Sequence, residues 1–396
     1  MDKYFISQKV PNLHVAKKNT DFVLNFVGKV LLFSDNKNDA IDMHIHVNRK
    51  MSKELIIDVL KKAEKNHIKV LSFVMHNDVF PYIAESPLME LIASDEIAQY
   101  YTGKIIAGVE IDCVVDGAQN ISQNGYDFNG DIIHVLMYDF DINALTTPGA
   151  FYSEEYQQKA FFYDMKILTD GLKKFGFSFP EGFSFVYGVP YQDQLYAFLT
   201  APENAAYKAD FEKKLGVDDS VFESKSKFAR LLTNNKEGII SKILNKNSKT
   251  LLKIQEVIKL ASTCGGKLVL AHPARMNGSY IINDYIQTIV QNYGEYFHGI
   301  EVEYGLDNMK ARDEVIKSFR DVISNEKYKH LIATGGSEFL TFLEQFQFDG
   351  ESLKQQPGRK VATKDLCSGY DKIKVAKDSL DFNGIYPPKE DENERR

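Results

Sequence analysis

The sequence predicts an α/β fold, built as a layer or a barrel of strands, that a helical insertion interrupts. Two observations support this class. Apolar segments typical of strands alternate with segments of helical periodicity over residues 39–143 and again over residues 251–345, which favours parallel strand pairing. The residues between them, 144–250, are rich in Tyr, Phe, Lys and Glu and show no strand alternation. We therefore expect one α/β domain with a helical insertion of lid or substrate-binding type.

Composition and charge exclude several classes of protein. The 396 residues and the apolar fraction of 44% are enough for a large core. The formal net charge of −7 argues against binding of duplex DNA through bulk charge. Three cysteines without a C-x-x-C pair predict a reducing, cytoplasmic location. No secretory signal and no membrane-spanning apolar run of about 18 residues is recognisable, and a partner protein cannot be read from the sequence.

The first predicted strand, "AIDMHIHVN" at residues 40–48, carries the most informative pattern. Alternate side chains of a strand point to opposite faces, so its polar and apolar residues should separate. One face would hold Asp42, His44 and His46. The other would hold Ile41, Met43, Ile45 and Val47. Two imidazoles beside a carboxylate could form half of a metal site, or simply the solvated face of an amphipathic strand.

The remaining elements follow in order. Ser52 is placed to cap a helix through "KELIIDVLKKAEKNH". The next strands are "KVLSFVMHND", "KIIAGVEIDCVV" and "DIIHVLMYDFD". In the insertion, "SEEYQQKAFFYDMKILTDGLKKFG" is typical of an amphipathic helix ended by Gly176, and "SKSKFARLLTNN" of another. "KLVLA", "FHGIEVEYG" and "HLIATGGSEF" complete the strands. Residues 1–38 should pack on the main body as a helix or hairpin, and residues 346–396 should form an irregular segment and tail.

Polar residues lie within these predicted strands or at their ends. In a parallel α/β fold, functional groups gather at the carboxyl ends of the strands, so widely separated residues should meet there. Five of the nine histidines are in this position, together with two glutamates. The set is His44, His46, His76, Glu110, His134, His272 and Glu338. Imidazole nitrogen and carboxylate oxygen are the donors that Zn²⁺, Mn²⁺ or Fe²⁺ accept, and a carboxylate can bridge two such ions.

Simpler interpretations stay open for several features. His14, His67, His298 and His330 are interpreted as ordinary surface residues. Gly335 and Gly336 are compatible with a plain tight turn. The aromatic residues of the insertion indicate a small core of its own more strongly than a platform for nucleobases.

The motifs "DMHIH", "MHND", "GVEID", "HVL", "AHPAR" and "GGSEF", in this order, resemble the polymerase and histidinol phosphatase (PHP) superfamily, whose pattern is D-x-H-x-H, T-D-H, G-x-E, H, H-P and G-S-D-x-H. The insertion resembles the branch that contains 3′,5′-nucleoside bisphosphate phosphatases and 5′→3′ exoribonucleases. The likeness covers about residues 40–345. It implies a distorted seven-stranded (β/α) PHP-type barrel with up to three metals at its carboxyl-end mouth.

The resemblance also implies ligand roles. His44, His46, Glu110 and Glu338 would hold a first metal, and Glu110 would bridge to a second held by His134 and His272. His76 belongs to the third position, where this chain departs from the pattern. Met75 stands in place of the Asp of T-D-H, and Leu340 in place of the final His. We therefore expect two divalent metals, with His76 either contacting substrate or supporting the ligands from behind, and with Asn77 or Asp78 as substitute ligands.

Three functional hypotheses follow. The first is a metal-dependent phosphoesterase that hydrolyses a phosphomonoester or phosphodiester of a nucleotide or short single-stranded RNA with a water activated by two metals. In it, His76 and Arg275 are catalytic, and Arg275, Lys225, Lys227 and Arg230 contact the phosphorylated substrate. The three insertion residues are equally compatible with a solvated helix face. The second is a PHP-derived binding or regulatory subunit with a degenerate metal site, and the third is hydrolysis of a C–N bond.

Overall fold

The computed structural model describes residues 40–47, 49, 51–65, 68–119, 125–225, 227–229, 238–244, 248–275, 282–304, 309–336 and 339–340. The predictions for residues 1–38 and 346–396 lie outside these residues. The described chain has a mixed α/β architecture, as the sequence predicts.

Within the described residues, ten strands form two sheets. They are β1 (Ala40–His46), β2 (Ile68–Val74), β3 (Lys104–Ile105), β4 (Gly108–Val114), β5 (Ile132–Tyr138), β6 (Leu252–Lys253), β7 (Lys267–Leu270), β8 (Phe297–Tyr304), β9 (Ile332–Gly336) and β10 (Phe339–Leu340). One sheet has the order β10-β1-β2-β3, and the other has the order β6-β4-β5-β7-β8-β9.

Helices cover the sheets and form the region between β5 and β6. They are α1 (Lys53–Lys65), α2 (Pro87–Ala93), α3 (Ile142–Thr146), α4 (Glu154–Lys174), α5 (Tyr191–Thr200), α6 (Ala205–Leu215), α7 (Ile239–Leu244), α8 (Ile254–Cys264), α9 (Ile282–Tyr293) and α10 (Met309–Ile323). Within the described residues, no helix has both the length and the apolar character needed to cross a lipid bilayer.

Helix α1 confirms the prediction made from its apolar spacing. The Ser52 hydroxyl accepts a hydrogen bond from the amide of Leu55 at 3.3 Å, which satisfies one of the free donors of the first turn. The side chains spaced for one face, Ile56, Val59 and Leu60 among them, are buried in the main apolar core. Burial of this face fixes the helix beside β1 and β2.

Strand β5 corrects the expectation of uniformly parallel pairing. It runs antiparallel to both neighbours, with Asp112 opposite His134 on the β4 side and Leu136 opposite Val269 on the β7 side. The described residues of the β4–β5 connection contain no helix, so the chain returns directly along its neighbour. Such a return produces an antiparallel pair, because a parallel pair requires a longer crossover.

Strand β1 corrects a second expectation. Its pairing register with β2 shifts between Asp42 and Ile45, so strict alternation of faces is lost there. As a result, Met43 does not share the core of Ile45 and Val47 but packs in a separate apolar cluster with residues such as Val70 and Leu136. Asp42, His44 and His46 are nevertheless buried rather than solvated, which excludes the amphipathic-strand interpretation.

The region between β5 and β6 contains its own apolar core. Its described residues form helices, turns and loops without a strand, and twelve buried side chains from Met165 to Leu244 make a cluster separate from the main core. Helix α4 begins at Ser153, whose hydroxyl accepts from the amide of Tyr156, and Gly176 with φ 90° follows its end as predicted. The domain boundaries at residues 144 and 250 remain a prediction.

A buried carboxylate holds the end of this region to α4. Asp164 is 1% exposed and accepts hydrogen bonds from the amides of Lys249, at 2.6 Å, and Thr250, at 3.0 Å. The hydroxyls of Ser248 and Thr250 donate to the same carboxylate, each at 2.5 Å. These contacts fix the direction in which the chain enters β6.

We expect Asp164→Asn to lower the free energy of unfolding by about 2–4 kcal/mol, because its buried amide NH₂ must face the backbone N–H of Lys249 or of Thr250 in either orientation. Urea denaturation measures the change. Asp170→Asn is the matched control on the same helix, since Asp170 pairs with Lys166 at the surface and loss of an exposed pair should change the stability much less. Equal losses for both variants would contradict the assigned role of Asp164.

Candidate metal centre

Glu110 is the centre of the site. Its carboxylate is fully buried, and its Oε2 atom lies 3.2 Å from His44 Nε2, 3.1 Å from His46 Nε2 and 3.2 Å from His76 Nε2. Its Oε1 atom lies 2.9 Å from His134 Nδ1 and 2.8 Å from His272 Nε2. The structure therefore brings together the five histidines and the glutamate that the sequence assigns to one place. That list is His44, His46, His76, His134, His272 and Glu110.

Neighbouring strands fix the position of Glu110. Its amide donates to the carbonyl of Met75 at 3.1 Å, and its carbonyl accepts from the amide of Asn77 at 2.7 Å. The resulting bridge puts His76 beside Glu110 although β2 ends two residues earlier. On the other side, His134 lies near the start of antiparallel β5, and the start of such a strand meets the end of β4. Both histidines therefore reach the same carboxylate.

Glu301 is a member of the site that the sequence reasoning did not assign. It lies on β8 and is 1% exposed. His44 Nδ1 is 3.1 Å from its Oε1 and 3.2 Å from its Oε2, and the amide of His272 donates to Oε2 at 2.9 Å. A carboxylate that holds one ring nitrogen of a histidine fixes the direction of the other ring nitrogen. Glu301 thus directs His44 Nε2 towards Glu110.

Gly336 has a different reason to be glycine than the tight turn considered from the sequence. It lies in β9, where a Cβ atom would stand 2.6 Å from the backbone nitrogen of His44 and 2.2 Å from its Cβ. Only a residue without a side chain allows β9 to approach β1 this closely. Its contact with His44 makes Gly336 part of the wall of the site.

The protonation states of the side chains in the site follow from these contacts. Burial opposes the charged form of Glu110, but His76, His44 and His134 outweigh it and hold the pKa of the carboxyl well below its usual range. Burial also lowers the pKa of His44, but Glu301 and Glu110 raise it to about 10. Glu110 and Asp112 likewise raise the pKa of His76 to about 9 against the effect of burial. Without a metal, both imidazoles carry the positive charge that balances Glu110.

Two other imidazoles of the site have a lowered pKa. Burial lowers the pKa of His46 to about 3 and outweighs its hydrogen bond with Glu110. Burial also lowers the pKa of His272. Both rings are therefore neutral near pH 7, and a neutral imidazole is the form that ligates metals.

Exposure differs across the site. The side chains of His44, His46 and His272 are at most 4% exposed, whereas His134 is 29% exposed and His76 is 46% exposed. Solvent consequently reaches the site from the side of His76 and His134.

In the part of the chain that the structure describes, three overlapping sets of donor atoms could hold a metal ion. These are His44 with Glu110 and His272, His46 with His76 and Glu110, and His76 with Asp112 and His134. In each set, the donor atoms lie within 4.8 Å of one another. Imidazole and carboxylate donors without thiolate suit Zn²⁺, Mn²⁺ or Fe²⁺.

The other predicted site residues have different outcomes. Glu338 and Arg230 lie outside the described residues. Arg275 ends a short 3₁₀ turn, Pro273–Arg275, directly after His272, and only its backbone is described. In the insertion, Lys225 pairs with Asp193 at 2.5 Å and Lys227 pairs with Glu223. Their substrate-binding roles stay predictions. His298 and His330 are exposed, as expected.

Asp112 and Asn77 also contact the site. Asp112 follows Glu110 at the spacing that keeps both on one face of β4, and this spacing is the signal that could have identified it. Asn77 donates from Nδ2 to Asp112 Oδ2 at 3.0 Å. Asn77 and Asp78 are the substitute metal ligands predicted from the sequence, and that role stays a prediction. Asp78 accepts two hydrogen bonds from Arg49, at 2.6 Å and 3.3 Å.

Comparisons with known proteins add a limited similarity. No protein-family model matches the chain. No curated protein matches it by sequence. Among solved structures, it is similar to an amidohydrolase from Chromobacterium violaceum, described with bound sulfate and no metal, at 15% identity and a TM-score of 0.42 over 76% of this chain and 87% of that chain. A similarity of this size supports no argument about fold or function.

We expect Glu301→Gln to weaken Zn²⁺ binding by about 10–100-fold, because the amide no longer holds His44 in the required tautomer. Competition with a chromophoric chelator measures the affinity. Glu295→Gln, which changes an exposed residue before β8, is the control and should bind as the wild type does. Unchanged affinity of Glu301→Gln would show that His44 does not depend on Glu301.

Proposed function

We propose that the protein is a metal-dependent phosphoesterase that acts on a nucleotide or a short single-stranded RNA. The observation that carries this proposal is the division of imidazoles between the two oxygens of Glu110. Three ring nitrogens face Oε2 and two face Oε1. A carboxylate whose two oxygens face separate sets of donors is suited to bridge two cations, and paired cations are a recurrent arrangement in phosphoester hydrolysis.

The residues fit two divalent metals. His44, His46 and His76 would hold one beside Glu110 Oε2, and His134 and His272 would hold the other beside Oε1. Five imidazoles converging on one buried carboxylate require positive charge among them, which protons on His44 and His76 supply in the metal-free protein. When bound, two such ions would supply Lewis acidity towards phosphoryl oxygens and an activated water. Glu338 stays a predicted additional ligand.

The protein's own groups have roles on the exposed side. His76 is the most exposed imidazole of the site, and its pKa is raised to about 9. A ring that held a metal through Nε2 and donated from Nδ1 to Asp112 would keep no proton for a leaving oxygen, so His76 would act on substrate as the most exposed metal ligand. Arg275 follows His272 by three residues, and we retain it as the phosphate contact. Because the insertion residues Lys225 and Lys227 are paired with carboxylates, they would reach substrate only if those pairs exchanged.

We also propose that the two sheets close into a seven-stranded barrel. Several pairings support closure. Strands β3 and β4 are two residues apart and lie in succession beside β2. Strand β9 pairs with β8, and β10, which begins three residues after β9 ends, pairs with β1. Each of these consecutive pieces counts as one strand, and the two-residue β6 lies beside the end of β4 as an extra strand. The barrel would then have seven positions, the number that the resemblance to the PHP superfamily implies.

One observation favours the alternative of a binding or regulatory subunit without turnover. Leu340 pairs with His46 in the ladder between β10 and β1, so its backbone lies beside that of a proposed metal ligand. Leucine has no donor atom. A site short of one ligand could bind metal loosely and lose turnover.

We expect the purified protein to contain about two equivalents of divalent metal and to hydrolyse nucleoside bisphosphates or 5′-phosphorylated RNA in the presence of Mn²⁺ or Zn²⁺. The double variant His44→Ala/His46→Ala should lose one equivalent. Its rate should fall about 10³-fold or more, because a lost metal removes several kcal/mol of transition-state stabilisation. Elemental analysis and phosphate release measure the two quantities.

The double variant His298→Ala/His330→Ala is the control, since it removes two exposed histidines that lie outside the cluster. It should retain both metal and activity. Two bound equivalents without hydrolysis of any phosphoester would contradict the phosphoesterase. Less than one equivalent would favour the degenerate binding subunit. Cleavage of an amide instead would favour hydrolysis of a C–N bond.

A further inference from the structure

A second carboxylate, Asp112, faces His76 and His134, the more exposed rings of the site, which we call its outer half. Its Oδ1 atom lies 3.1 Å from His76 Nδ1 and 3.5 Å from His134 Nε2. The opposite nitrogens of the same two rings face Glu110, His76 Nε2 at 3.2 Å from Oε2 and His134 Nδ1 at 2.9 Å from Oε1. The His76 ring is therefore held between the two carboxylates by hydrogen bonds, and the His134 ring lies between them with its Nε2 at the longer ion-pair distance from Asp112. One ring belongs to each of the two proposed metal positions.

The chemistry of imidazole decides what Asp112 does. A neutral imidazole has one nitrogen with a lone pair and one N–H, so a ring that ligates a metal with one nitrogen donates its proton from the other. If the nitrogens that face Glu110 ligate metals, those that face Asp112 keep their protons. A third cation beside Asp112 would require both rings to lose this second proton. The geometry thus favours Asp112 as an acceptor over Asp112 as a ligand.

Asp112 is itself held in place by Asn77. The Asn77 side chain donates to Asp112 Oδ2 at 3.0 Å and accepts from the Asp112 amide at 2.9 Å. Asn77 has φ 52°, a conformation that most residues avoid but that asparagine tolerates. Its amide donates to the carbonyl of Glu110 at 2.7 Å. One residue therefore fixes the side chain of Asp112 and the backbone of Glu110.

We infer that Asp112, held in place by Asn77, is a positioning residue. It sets the tautomer of His76 in one metal position and of His134 in the other, and so couples the two positions. This inference rests on the proposed two-metal function. It assigns Asp112 the role in the outer half that Glu301 has for His44 in the inner half. Because Asp112 is shared by two rings, loss of its carboxylate should weaken the binding of both metals. If each ring had a carboxylate of its own, loss of one carboxylate would weaken one metal alone.

The test is a Co²⁺ titration of the full-length protein, followed by visible absorption and by chelator competition. We expect the wild type to bind two equivalents. Asp112→Asn should still bind two at saturation, but each should bind about 10–100-fold more weakly, with a changed ligand-field spectrum. Asn77→Gly should shift both affinities in the same direction by less, because glycine keeps the positive φ and removes only the amide.

Asp116→Asn is the matched control, since it removes a carboxylate four residues away that pairs with Lys253 at the surface. It should leave the affinities and the spectrum unchanged. If Asp112→Asn binds both ions as the wild type does, or loses affinity at one position alone, the inference is wrong while the proposed function stands. A third equivalent that only the wild type binds would make Asp112 a ligand and overturn the inference. A wild type that binds no Co²⁺ would overturn the proposed function and this inference together.

Discussion

A fully buried carboxylate must be balanced by positive charge or by donors, and the rest of the structure is arranged to supply that balance to Glu110. Transfer of an unpaired carboxylate from water to a protein interior costs several kcal/mol or more. Five imidazole nitrogens within 3.2 Å offset this cost, with protons on His44 and His76 in the metal-free protein. Because these imidazoles come from widely separated parts of the chain, the strands must meet correctly for the carboxylate to be tolerated. The site is therefore a constraint on the fold as well as a product of it.

The reversal of β5 shows how the fold meets this constraint. In a parallel arrangement, only residues near the carboxyl end of a strand reach the mouth. His134 is the third residue of β5, so a parallel β5 would have placed it towards the opposite edge. The antiparallel direction sets it across from Asp112 near the carboxyl end of β4. The short β4–β5 connection and the position of His134 are thus consistent with each other.

The sequence was sufficient to predict the mixed α/β class and helix α1, because apolar spacing is a local property. It also predicted that His44 and His272 lie close together, because both stand at or near the carboxyl ends of predicted strands. It did not identify the carboxylates that hold the rings. Glu301 and Asp112 each look like an ordinary polar residue in an alternating strand, and their importance depends on which strands become neighbours. The same limit applies to Met43, whose face depends on a register shift against β2. Period-two patterns define faces, but they do not define partners or bulges.

The two halves of the centre differ in exposure to solvent, because different elements surround them. On the inner side, β9 approaches β1 so closely at Gly336 that no side chain fits, and Glu301, 1% exposed, holds His44. On the outer side, Asp112 is 28% exposed and holds His76, which is itself 46% exposed. Water screens and competes for hydrogen bonds on the outer side but not on the inner side. The inner imidazoles are consequently enclosed by packing. The outer ones contact Glu110 and Asp112 on a side that water reaches, and they are the ones that an incoming molecule meets first.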